Sequence, residues 1–186
     1  MTEQKTITMK NIAANLTTHP TFMAIELKGT RYPKAQPQAN ALGKVLMYSS
    51  FVSGTLTIGT SMTFADEKQA VFAEVPVAEV TQVEVGIYHS LAGIKGMLPF
   101  EAQLTVNVVL TTPTATYDLL NTDLQLVPAI LAWVKANNIS LSDPLKLQQR
   151  VDVDWSKVTL QAVEDWAADT RYAAPYGMLS ATAPMQ

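Results

Sequence analysis

The sequence predicts an α+β domain in which a β-rich sandwich or barrel-like sheet of about six to eight strands precedes two or three C-terminal helices. Three observations predict it. Threonine, valine and isoleucine dominate a series of short stretches up to residue 118, and such side chains suit pleated, half-buried surfaces. Turn-forming segments separate these stretches at the roughly 8 to 12 residue spacing of an all-β sandwich or barrel, leaving no room for the helices of a parallel α/β sheet. Beyond residue 118 the apolar positions change to helical spacing.

Taken in order, Thr6-Ile7-Thr8-Met9 alternates like a strand, and Phe22 to Leu27 is a mostly apolar stretch with Glu26 near its end. Val45 to Val52 and Thr55 to Phe64 follow, then Ala70 to Val77, Thr81 to Tyr88 and the long run Ala102 to Thr112. Tyr32 to Asn40, Gly54, Gly59 and the glycine-bearing stretch Gly86 to Pro99 read as punctuation. Glu74-Val75, Glu79-Val80 and Glu84-Val85 echo at a period matching neither strand nor helix, which is simplest as two strands around a turn at Ala78-Glu79.

In the last third, Leu124, Val127, Leu131 and Val134 share a helical face, with Pro128 tolerated only in the first turn and Asn137-Asn138 at the end. Ser142-Asp143-Pro144 is a start signal for a short segment to Arg150. Thr159 can cap a third helix that places Leu160, Val163, Trp166 and Ala167 on one face and ends by Ala174-Pro175-Tyr176-Gly177. We therefore read one domain over 1–186, β-rich over 1–118 and helical over 119–177, with an uncharged tail over 178–186 that orders only against a neighbour.

Composition removes several chemistries. There is no cysteine, so disulfides, thiolate metal sites and cysteine nucleophiles are excluded. His19 and His89 are the two histidines, each read as a turn or edge residue. Gly54 to Ser61 has the glycine spacing of a phosphate loop, but Thr60 stands where its lysine must be, and the interior alternates like a strand. Gly93-Ile94-Lys95-Gly96 resembles a nucleic-acid clamp in spacing only and reads as a surface loop. Asp152-Val153-Asp154 lacks a calcium-loop continuation and reads as a solvated turn with a helix-capping aspartate. Asn15-Leu16-Thr17 and Asn138-Ile139-Ser140 match the glycosylation pattern by chance in a chain without a signal-like apolar segment. No catalytic, cofactor-binding or metal-ligating residue is assigned, and no cofactor is expected.

Trp155, Trp166, Tyr172 and Tyr176 are the aromatic candidates. Acidic neighbours (Asp152, Asp154, Glu164, Asp165, Asp169) make them poor contacts for a phosphate backbone. Two readings stand for them: packing of the helix on the sheet, and a subunit interface.

Charged residues are 16% of the chain, against roughly 25% in ordinary domains, and mean hydropathy is slightly positive at +0.11. Charge is also segregated: residues 1–65 are net basic, while 66–101 and 102–186 are net acidic. A surface short of charge is resolved by burial against copies of itself, and opposed patches suit head-to-tail contact. The expectation is a non-enzymatic structural subunit of a homo-oligomeric assembly. The setting is the virion of a bacteriophage, as tail tube, neck, terminator or capsid accessory protein. Its partners are copies of itself and other assembly proteins, with no membrane and no sequence-specific nucleic acid. Synthesis is expected in a cytoplasm, with the virion as the destination. The alternatives are a small ligand- or partner-binding module and a carboxylate- or His89-dependent enzyme.

Overall fold

The computed structural model describes residues 5–7, 22–32, 53–66, 68–92 and 101–174. Eight of the ten described strands lie along one hydrogen-bonded path, β10-β7-β8-β9-β2-β4-β5-β6, while β1 pairs with β9 and β3 with β2 off that path. The strands are β1 (Lys5–Ile7), β2 (Phe22–Leu27), β3 (Thr30–Tyr32), β4 (Ser53–Ile58) and β5 (Ser61–Ala65), then β6 (Val71–Pro76), β7 (Gln82–Ala92), β8 (Glu101–Thr111), β9 (Ala115–Asn121) and β10 (Ser140–Ser142). Two α-helices follow β9: α1 (Leu126–Ala136) and α2 (Leu160–Ala167).

The path divides where β2 leaves β9, because the single pair Phe22 to Leu120 joins the two strands. One sheet is β1-β9-β8-β7-β10. The other is β2-β4-β5-β6 with the short β3 on its flank. Asn121, fully buried, fills the divide: its Nδ2 donates to the carbonyls of Met23 at 2.8 Å and Tyr32 at 2.9 Å. Those carbonyls have lost a strand neighbour at the branch, and a buried carbonyl without a donor is costly.

The expected α+β, strand-rich organisation is therefore present, with two corrections. Both sheets are open, so no barrel closes among the described residues, and the strands number ten. The extra strands come from four places. Thr55 to Phe64 is not one strand but a hairpin, with Ile58 opposite Met62 and the chain reversing at Gly59-Thr60. Lys28 and Gly29 both take positive φ (51° and 73°) and close a two-residue hairpin from β2 into β3, the backbone such loops require. Ser142, expected to start a helical segment with Asp143 and Pro144, instead ends the short strand Ser140–Ser142, which pairs in parallel with Gln82–Glu84. The fourth is β9 (Ala115–Asn121), which no expected strand stretch covered and which runs into the part expected to be helical. The expected strand over Val45 to Val52 lies outside the described residues.

Alternation sorts the first sheet into two faces. Val83, Val85, Ile87, Val106, Val108, Leu110, Tyr117 and Leu119 project to one side and are all buried. Burying such side chains contributes about 1.5–3 kcal/mol each. The Tyr117 ring stacks on Phe64 of β5, with centroids 4.6 Å apart, so both sheets feed one core. The opposite face carries Glu84, Gly86 and Tyr88 of β7, Asn107 of β8 and Asp118 of β9.

Helix α1 begins as expected. Pro128 occupies the first turn, where its missing N–H costs nothing, and Leu126, Val127, Ile130, Trp133 and Val134 are buried. It ends on Asn138, in the left-handed region at φ 53°, while the Ile139 N–H closes back on the Val134 carbonyl at 3.1 Å. Helix α2 is capped by Thr159, whose Oγ1 accepts from the Ala162 N–H at 3.3 Å. Val163 and Ala167 are buried, and Trp166 is half-buried. Between the helices, Asp143 accepts from the Leu147 and Gln148 N–H groups, each at 2.7 Å, and fixes a 3-10 turn over Leu147–Gln149. The segment to Arg150 is that turn, not a full helix.

Candidate functional site

The densest polar constellation lies on the second face of the first sheet, under the chain that leaves α2. A 3-10 turn at Arg171–Ala173 follows α2, and the Thr170 Oγ1 accepts from the Tyr172 N–H to start it. This turn lays Tyr172 across β7 at Gly86. A Cβ on Gly86 would stand 2.0 Å from Tyr172 Cζ and 2.3 Å from Cε1, so the ring occupies the space that any other residue would fill. Tyr172 is 1% exposed, and its ring centroid is 4.4 Å from that of Tyr88. The expectation that Gly86 opens a punctuating segment is corrected here: β7 continues through it to Ala92, and the glycine serves packing, not a turn.

Around that ring the polar atoms satisfy one another. The Tyr172 hydroxyl lies 2.8 Å from Glu84 Oε1 and 3.2 Å from Asn107 Oδ1. Arg171 pairs with Glu84 Oε1 and donates to Tyr172 Oη at 2.9 Å and Asn107 Oδ1 at 3.3 Å. Ser142 of β10 donates to Glu84 Oε2 at 2.9 Å, so Glu84 ties the edge strand and the C-terminal turn to β7. Asn107 Nδ2 completes the chain to Asp118 Oδ1 at 2.5 Å and the Leu119 carbonyl at 2.9 Å. No buried side-chain N or O among the described residues lacks a partner.

Electrostatics follow from that enclosure. Burial pushes the Tyr88 hydroxyl up to about 12, with Asp118 and Glu84 acting in the same direction and Arg171 against it. Burial raises Tyr172 further, reinforced by Glu84. For Arg171, burial works against the charge, but Tyr172, Tyr88 and Glu84 outweigh it and hold the guanidinium above its ordinary value. Both phenols stay neutral and serve as hydrogen-bonding rings. The constellation holds the C-terminal turn to the sheet and spends its groups on one another.

The aromatic candidates separate. Tyr172 is core. Trp155 and Trp166 are half-buried and meet edge to face at 6.3 Å, with the Arg150 guanidinium 4.2 Å over the Trp166 ring. Val151, next to Arg150 in the chain, is 82% exposed. Tyr176, His19 and Gly93 to Gly96 lie outside the described residues. His89 sits within β7 opposite Leu104, not in a turn. Gly54 to Ser61 forms β4 and the turn into β5, so the phosphate-loop spacing is a strand. Asp154 caps a turn, not a helix: it accepts from Ser156 and pairs with Lys157 at 2.8 Å. Lys157 first, then Ser156, hold its carboxyl below the usual range.

Two surface features carry no prior expectation. Val71 and Phe72 on β6 are 59% and 41% exposed. An open groove of about 320 Å³ lies between α1 and β10, lined by Leu131, Val134, Ile139 and Leu141 together with the polar Lys135, Asn138 and Gln148. The sequence signal for the first was Val-Phe at the start of an otherwise alternating strand. The second had none, because it needs α1 and β10 side by side.

Among the described residues no three His, Asp or Glu side chains gather as a metal-binding group, and no helix is long and apolar enough to cross a membrane. No protein-family model, curated protein or solved structure matches the chain.

Proposed function

We propose that the chain is a structural, non-enzymatic subunit of a homo-oligomeric assembly, with a bacteriophage virion (tail tube, neck, terminator or capsid accessory) as its setting. The observation that carries the reading is the β6 edge. Val71 and Phe72 are adjacent, exposed and apolar at the end of the strand path. No other described strand pairs with the outer side of β6. An uncovered edge with apolar side chains is a template for another chain. The low charge of the sequence supports the same reading, since 16% charged residues leave a surface that neighbours can cover. The face-to-face contact of Phe64 with Tyr117 supports a sandwich as the assembling unit.

The test is the mass of the purified full chain over a wide concentration range, by sedimentation velocity and negative-stain microscopy. Rings, tubes or shells are expected. A particle of 20.2 kDa at every concentration contradicts the proposal. A small ligand- or partner-binding module remains the second reading because of the groove between α1 and β10.

A further inference from the structure

We infer that copies of this chain associate head to tail, the β6 edge of one copy seating Phe72 and Val71 in the groove between α1 and β10 of the next. The inference rests on the assembly reading above and names the two surfaces that meet. β6 and β10 stand at opposite ends of the strand path, so the contact joins unlike surfaces and repeats from copy to copy.

Pairing of β5 with β6 shifts register between Phe64 and Ala65, leaving Phe72 without a partner residue on β5. Its ring lies 6.2 Å from that of the buried Phe64 and is still 41% exposed, so a supported aromatic ring is open to a neighbour on the edge strand. The groove, about 320 Å³, offers Leu131, Ile139 and Leu141 beside the polar Lys135, Asn138 and Gln148. An aromatic side chain set among apolar and polar groups is a common anchor of a protein interface.

Charge complementarity selects this pairing over β6 meeting its own copy. The β5–β6 hairpin and the turn after it carry Asp66, Glu74 and Glu79 against Lys68, a net acidic edge. Lys135 lines the groove, and the segment that supplies Gln148 to it carries Lys146 and Arg150 against Asp143, whose carboxylate already receives two backbone N–H groups. Among the described residues, Glu74, Glu79, Lys135 and Lys146 form no ion pair within the chain, so they are available to a neighbour. Two β6 edges would instead place acidic groups together, which costs free energy.

Sedimentation velocity on the full chain and its charge variants tests the arrangement. Glu74→Lys and Lys135→Glu should each raise the concentration for half-association at least about tenfold, because each places like charges across the contact. Mixing the two variants should restore assembly. The substituted edge of one variant then meets the substituted groove of the other, and the two unsubstituted surfaces meet at the alternate contacts, so every contact pairs opposite charges. Phe72→Ser should weaken association similarly. Both charged positions are exposed, and restoration on mixing itself reports intact folding. Wild-type assembly with both charge variants behaving as wild type overturns the inference and leaves the assembly reading standing. Indifference to Lys135→Glu also overturns it, and association strengthened by Glu74→Lys would then favour β6 meeting β6, where the substitution lowers the acidic repulsion. A wild-type chain that stays monomeric overturns both.

Discussion

Gly86→Ala is the sharpest probe of how the C-terminal turn is held. The strand conformation at Gly86 suits alanine, and by backbone preference alone the change would stabilise by about 0.5–1 kcal/mol. The structure predicts the opposite sign. The new methyl would sit 2.0 Å from Tyr172 Cζ, so reaching ordinary contact near 3.4 Å requires the ring to retreat about 1.4 Å. The ring has little freedom to do so, with Tyr88 at 4.4 Å and its hydroxyl engaged by Glu84 and Asn107. Overpacking of this kind costs about 1–3 kcal/mol, and a strained or lost hydrogen bond about 1 kcal/mol more. Net destabilisation of about 1–3 kcal/mol is expected, lowering the melting temperature by about 2–12 °C for a chain of this size.

Urea denaturation followed by circular dichroism measures it, and a double-mutant cycle isolates the cause. Tyr172→Ala alone should cost about 3–5 kcal/mol by opening a cavity. In its presence Gly86→Ala should become neutral or stabilising, giving a coupling of at least about 1 kcal/mol. A Gly86→Ala protein as stable as wild type, or two additive substitutions, would mean that Tyr172 does not fill the glycine site.

Asn121→Leu should destabilise by about 2–4 kcal/mol in the same assay, because the Met23 and Tyr32 carbonyls lose their donor where the sheets divide; a loss below about 1 kcal/mol would show that another group replaces it. Trp166→Ala should cost about 2 kcal/mol, less than the ~3–5 of a fully buried aromatic, since the ring is half-buried and part of its contact is the Arg150 guanidinium. Alkaline titration should show a stability loss with a definite sign. The unfolded tyrosines ionise near 10, whereas folded Tyr88 ionises only near 12 and Tyr172 is raised as well. Stability is therefore fully present below about pH 10 and falls as pH rises from about 10 toward 12. Tyrosinate absorbance that develops fully at about pH 10 with the fold intact would contradict the enclosure of these rings.

Several elements were legible because their causes are local. Phe22 to Leu27 is β2 as the apolar run indicated, and Glu74, Glu79 and Glu84 fall on β6, a turn and β7 as the echo required. Pro128 in a first turn and Thr159 as a cap act within a few residues of themselves. The polar constellation was not legible. Nothing marked Glu84 from the other acids, and its partner Arg171 lies 87 residues away. Asn121 and Met23 are 98 residues apart, and the need for a donor there exists only because two sheets part at that point.

The apolar alternation, the helix signals and the shortage of charge belong to the amino-acid sequence, because each depends on neighbours along the chain or on composition alone. Tertiary structure decided that Gly86 is mid-strand, that Ser140–Ser142 completes a sheet, and that Tyr172 belongs to the core. The reason is that a missing Cβ, an open strand edge and a buried hydroxyl are read only against what stands opposite them. That neighbour is chosen by the packing of segments far apart in the chain.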